Sequence, residues 1–183
     1  MRALLLLPLL VLLSACQNAQ LNRDYDQQRD FGAYRSWSWQ SPAVQYSPND
    51  PRLQSDLTEQ RIRSAVNEQL EQRGLRQASA GAGDLRVGVW LIVDNRQEQI
   101  TSQTGGSWGY PWGGYWGPGY IDTRTLDYQV GTLQVDLYDG KDGKLVWRGS
   151  REQILRAPES TPSEREANIR SSVREVLSQY PPH

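Results

Sequence analysis

Five apolar side chains at every second position, Leu85, Val87, Val89, Leu91 and Val93, restrict this chain more than any other feature. Side chains along an extended strand point alternately to opposite faces, whereas a helix would scatter these five around its circumference. The segment is therefore expected to be a strand with its odd-numbered side buried. Trp90 and Ile92 make the other side partly apolar, so the N-terminal strands or an aromatic loop are expected to cover it.

Other segments supply partners for that strand. Leu21 to Asp26 and Tyr34 to Gln40 read as two short strands separated by a turn at Asp30-Phe31-Gly32, and proline-rich Ser41 to Arg52 reads as a loop. Leu126, Tyr128 and Val130 alternate, as do Leu133, Val135 and Leu137, but the two series are out of phase across Gly131. A bulge at Gly131 is expected to restore the register. Asp139 to Gly143 reads as a hairpin turn into a last strand, Lys144 to Ile154, with Leu145 and Trp147 on one side.

Two segments have helical spacing. Asp56 to Arg73 aligns Ile62, Ala65, Val66, Gln69 and Leu70, with Asp56 and Glu59 resembling a capping box and Gly74 at the exit. The second helix opens at Thr161-Pro162-Ser163-Glu164 and runs through Ile169, Val173, Val176, Leu177 and Tyr180 to the stop at Pro181-Pro182. The expected fold is α+β, a two-layer sandwich of a mainly antiparallel sheet with two amphipathic helices packed on it.

The N-terminus gives an address. Arg2, the apolar run Ala3 to Leu13 and the sequence Leu13-Ser14-Ala15-Cys16 have the order of a secretory signal peptide, and the run is too short to span a bilayer. Leu13 to Cys16 resembles the bacterial lipobox. That resemblance implies cleavage before Cys16, the sole cysteine, and lipid attached to its thiol, which together would anchor the chain stably. Residues 1–15 are then the cleaved signal and 16–20 a lipidated tether, leaving 21–183 as a single domain. Gln17 and Asn18 follow Cys16, and inner-membrane lipoproteins typically carry aspartate at the second position of the mature chain, so the resemblance points to the outer membrane, with the domain facing the periplasm. With Cys16 acylated, no thiol remains for a disulfide and the fold must rest on packing.

Several stretches resemble bacterial lipoproteins that carry domain of unknown function 4136. They are Asp24-Tyr25-Asp26 with Asp30-Phe31, Tyr34 to Trp39, Arg61-Ile62 to Gly74, and Asp84-Leu85-Arg86-Val87. The likeness continues through Gly131-Thr132-Leu133, Val135 to Asp139, Leu145 to Gly149 and Tyr180-Pro181-Pro182, with Tyr180 where phenylalanine is usual. The resemblance implies no activity. Its fold is similar to that of small envelope lipoproteins that assist transport machines, which by itself argues little about function.

The 20 basic and 21 acidic residues leave a formal charge of −1, which argues against a nucleic-acid partner. The feature most suggestive of contact is the loop insertion 104–120, where Trp108, Tyr110, Trp112, Tyr115, Trp116 and Tyr120 alternate with glycines and prolines. Such rings stack on sugars, seat at lipid headgroups, fill a protein contact, or fold back on their own sheet. Gly105-Gly106-Ser107-Trp108-Gly109 matches a nucleophile elbow in letters only, since no helix follows and the one histidine, His183, ends the sequence after two prolines. Asp136, Asp139 and Asp142 lack calcium-loop spacing, and Gly81-Ala82-Gly83 lacks the third glycine of a dinucleotide site. The expectation is a noncatalytic envelope module without metal, and without cofactor beyond the lipid on Cys16. It would be anchored to the membrane by that lipid and bind an envelope protein or glycan. The alternatives are a hydrolase of cell-wall polymer, which needs two converging carboxylates, and a peripheral membrane-contact module using the aromatic loop.

Overall fold

A computed structural model describes residues 20–51, 53–79, 81–104, 120–155 and 161–182. The strands are β1 (Gln20–Tyr25), β2 (Ser36–Ser47), β3 (Arg76–Gln77), β4 (Leu85–Thr104), β5 (Tyr120–Asp139) and β6 (Leu145–Leu155). The helices are α1 (Asp56–Gln72) and α2 (Pro162–Leu177). All six strands form one sheet in the order β1-β6-β5-β4-β2-β3.

The α+β class agrees with expectation, but the sheet is mixed. β1, β6, β5 and β4 pair antiparallel, whereas β2 lies parallel to both β4 and β3. The reason is connectivity: the chain leaves β2, crosses through α1 and returns beside β2, and a crossover of that length produces parallel neighbours.

Three local expectations are corrected. β2 extends to Ser47, through the proline-containing stretch expected to be loop, and absorbs extra residues in an irregularity between Trp39 and Val44. The α1 cap is Ser55, whose hydroxyl accepts from Thr58 N–H; Asp56 and Glu59 lie in the first turn, where they favour the helix dipole. Gly131 is not a bulge. β4 and β5 pair without interruption from Leu85↔Asp139 to Thr104↔Tyr120, so the two out-of-phase series face opposite sides of the sheet. The open position at Gly131 is taken by Leu155, whose side chain a Cβ there would meet at 2.8 Å. The register shift of β5 lies instead against the start of β6, leaving Leu145 partly exposed while Val146 and Trp147 are buried.

Both helices pack on the face bearing Leu85, Val87 and Val89. Ile62, Val66 and Leu70 of α1 join Val173, Val176 and Leu177 of α2 over Val135, Leu137 and Trp147. The α2 start is as the sequence predicts, with Pro162 in the first turn and a reciprocal cap between Thr161 and Glu164, but the helix ends at Leu177 and Tyr180, expected within it, lies beyond its Ser178 cap. At the lower edge of the sheet, Tyr180 meets Trp147 and Phe31 edge-on at 5.6 and 5.9 Å, and Phe31 also meets Tyr25 and Tyr34. No described element is stacked on the other face. β1 and β2, expected to cover Trp90 and Ile92, extend the sheet instead.

Two substitutions test this packing. Trp147 is fully buried, so Trp147→Ala is expected to cost about 3–5 kcal/mol in urea unfolding. The buried Tyr180 hydroxyl has no hydrogen-bond partner among the described residues, and burial pushes its pKa well above the ordinary tyrosine value. Tyr180→Phe removes that desolvated group and is expected to raise the melting temperature, by about 1 kcal/mol of stability.

Candidate functional site

The site begins with the mismatch between β4–β5 and everything beside them. β2 flanks β4 only as far as Ile92, and β6 flanks β5 only as far as Gln129. From Arg96↔Tyr128 to Thr104↔Tyr120 the two strands, among the described residues, pair only with each other. These nine rungs extend about 30 Å beyond the sheet. A two-stranded ribbon is marginal in water by itself, so this one is an expensive feature unless something is gained at its far end.

The far end is where residues 105–119 are inserted. Cys16 and the candidate contact residues Trp108, Tyr110, Trp112, Tyr115 and Trp116 lie outside the described residues, as do Ser107 and His183. Tyr120 is the first residue of β5, opposite Thr104. The sequence placed the aromatic segment at a hairpin end but did not indicate how far that hairpin stands from the body.

The ribbon has two unlike faces. On the side continuous with the helix-covered core stand Asn95, Gln97, Gln99 and Thr101 with Thr123, Thr125, Asp127 and Gln129. The opposite side carries Ile100, Leu126 and Tyr128 among charged residues, with Ile100 and Leu126 each about half exposed.

Lower on that same open face is a polar cluster that the sequence did not single out as a unit. Asp136 is fully buried, and Arg148 grips both of its oxygens through Nε and Nη2 at 2.7 and 2.8 Å. The Tyr138 hydroxyl and the Gln134 amide donate to Oδ2 at 3.1 and 3.2 Å. The bond to Asp136 raises the Arg148 pKa, and burial beside Asp136 raises that of Tyr138. A carboxylate so fully engaged is poorly placed to act as a general acid or base. The signal was present: the hairpin turn brings positions 136 and 148 opposite each other.

The turn itself accounts for the remaining carboxylates considered as calcium ligands. Asp139 accepts from Lys141 and Asp142 N–H, from the Tyr34 hydroxyl at 2.9 Å and from Arg29 at 3.1 Å, while Asp142 accepts from Arg29 at 2.6 Å. Burial pushes the Asp139 carboxyl up, but these donors outweigh it and hold it below the ordinary carboxylate value. Among the described residues, no group of histidine, cysteine or carboxylates is arranged to hold a metal ion. An apolar cavity of about 230 Å³ lies under α2, between Leu91, Leu133, Leu155 and Ile169 with Arg151 and Ser172. Its arginine is already bonded to Glu175, Gln153 and Ser172.

Residues 21–182 match the model of the family described as Domain of unknown function (DUF4136). The chain belongs to that family. The curated proteins include no match. Among solved structures, a PDZ domain protein from Parabacteroides distasonis is similar with a TM-score of 0.54 at 14% identity, over 89% of this chain and 35% of that one. The present chain thus spans about a third of that protein, and the likeness is one of fold. A PelC dodecamer from Paraburkholderia phytofirmans scores 0.45 at 12% identity, covering 87% and 95% of the two chains. A minor lipoprotein from Acinetobacter baumannii scores 0.29 at 12% identity, covering 80% and 88%. Among the described residues of this DUF4136 member, no helix is long and apolar enough to cross a membrane.

Two measurements test the electrostatic reading. Arg148→Ala leaves the buried Asp136 carboxylate without its counterion, and urea unfolding is expected to show a loss of about 1–3 kcal/mol that Arg148→Lys restores incompletely, because lysine lacks the two-pronged grip. The depressed Asp139 contributes stability that is fully present above the ordinary carboxylate value of 3.8 and is lost as pH falls through its lower folded value. Asp139→Asn should therefore flatten the acid limb of the stability profile below about pH 4.

Proposed function

We propose that this chain is a noncatalytic lipoprotein of the cell envelope, held at the outer membrane through Cys16 and facing the periplasm, which uses its ribbon to present residues 108–120 to another envelope component. The observation that carries this reading is the isolated pairing of β4 and β5 beyond their neighbours. A protein with no use for a remote contact would close this hairpin near Gly131, where the sheet ends. Instead, two largely polar runs continue the pairing to Thr104 and Tyr120, and the insertion 104–120 holds six tryptophans and tyrosines.

A noncatalytic role is supported by the engagement of the two buried aspartates, Asp136 with Arg148 and Asp139 with Arg29 and Tyr34. The lipid attachment rests on the Leu13 to Cys16 sequence, and the short polar stretch before β1 suits a tether.

Deleting Gly105 to Gly119 and closing the ribbon with Asn-Gly leaves every described rung of the sheet in place. In crosslinking of intact cells followed by mass spectrometry, the deletion is expected to abolish the principal crosslinks while leaving the level of folded lipoprotein unchanged. Unaltered crosslinks and unaltered cell-wall association would contradict the proposal. Hydrolysis of purified peptidoglycan, abolished by a single carboxylate substitution, would replace it with the hydrolase reading.

A further inference from the structure

We infer that the ribbon is a second membrane contact, whose Ile100 and Leu126 face lies on the lipid surface to which Cys16 is anchored; this rests on the lipoprotein reading above. Gln20 pairs with Glu152, Glu152 with Thr132, and Thr132 with Ile92, so the start of β1 stands on the last rung before the ribbon begins to emerge. β1 runs antiparallel to β6, so its N-terminal end is directed the same way as the ribbon. The anchored end and the ribbon therefore leave the sheet from the same edge.

Reach then limits orientation. Four peptide steps separate Cys16 from Gln20 and span at most about 14 Å. Pointing the ribbon away from the bilayer would place the body between Gln20 and the lipid. The body extends seven rungs from Ile92 to Leu85, about 23 Å, which the tether does not cover. With the ribbon directed toward the bilayer or along it, the tether is long enough. The ribbon's end lies twelve rungs beyond the Gln20 level, about 40 Å, so a ribbon directed toward the bilayer outreaches the tether nearly threefold and comes to lie against the surface.

The asymmetry of the ribbon says which side meets it. Ile100 and Leu126 are 46% and 49% exposed and sit diagonally on one face, with Glu98 opposite Leu126, Arg124 opposite Ile100 and paired with Asp122 at 2.8 Å, and Tyr128 beyond. Ile154, 58% exposed, continues that side next to Val130. The reverse side, Gln97 to Thr101 with Thr123 to Asp127, presents only amides, hydroxyls and a carboxylate at its alternate positions. Apolar side chains interspersed with paired charges suit the boundary between acyl chains and headgroups, and a purely polar strip suits water.

The test uses the full chain, made with its signal peptide, purified in detergent, weighed by mass spectrometry for acylation of Cys16, and reconstituted into phosphatidylethanolamine–phosphatidylglycerol vesicles. Nitroxide labels are placed on Leu126→Cys, on its neighbour Thr125→Cys on the reverse face, and on Lys141→Cys at the opposite end of the sheet. The acylated Cys16 takes no label. Collision with a lipid-borne nickel chelate is expected to be several-fold greater at 126 than at 125 or 141. An acylated chain with equal, water-like accessibility at all three sites overturns the membrane contact and leaves the lipoprotein reading intact. A chain that carries no lipid overturns both. A label at 126 that is water-exposed on vesicles but shielded in isolated cell envelopes assigns the ribbon to a protein partner, which also overturns the inference.

Discussion

The unbroken pairing of β4 with β5 governs the rest of the molecule. Over its lower eight rungs it forms the centre of the sheet, with Val87, Val89, Val135 and Leu137 fully buried beneath the helices. Over its upper rungs the same ladder continues with no flanking strand among the described residues, and at its base Arg96 is paired with Glu152 of β6. Because register is shared along its whole length, a slip made in the ribbon would reverse every side chain in the core, and the buried core therefore fixes how the ribbon's two faces are presented.

The other interactions consolidate the lower end. Arg29 links the β1 exit to the β5–β6 turn through Asp26, Asp139 and Asp142. Arg73 binds the carbonyls of Leu177 and Tyr180, joining the ends of the two helices. The edge-on rings from Tyr25 to Trp147 complete the base. Most of what is dense and buried thus lies away from the ribbon, an arrangement that gives a projecting element a rigid mount.

What could be read from the residues followed burial. Leu85 to Val93, the α1 stripe and the Thr161 cap each leave a periodic or stereochemical mark, and each appears in the structure where expected. The ribbon shaft left almost none. Beyond the Leu126, Tyr128 and Val130 series, Asn95 to Gln99 and Thr123 to Thr125 bury neither face, so no alternation records that they are strands. The same reasoning explains Gly131: two apolar series on opposite faces of one straight strand look like a register break when one face is assumed to be open. The parallel placement of β2 depends on a partner far along the chain, and nothing within Ser36–Ser47 specifies it. The Asp136–Arg148 pair was partly legible, since an aspartate between Val135 and Leu137 on a core strand requires a cation opposite.

The central claim, a ribbon held rigidly as the continuation of the core pair, is open to one direct measurement. In a chain with Cys16 replaced by serine, spin labels at Ser102 and Lys141 should give a single narrow distance distribution near 50 Å by double electron–electron resonance, from roughly seventeen strand steps shortened by twist. A broad distribution, or one centred much shorter, would show that the ribbon folds back or frays, and the account of a mounted contact arm would be wrong.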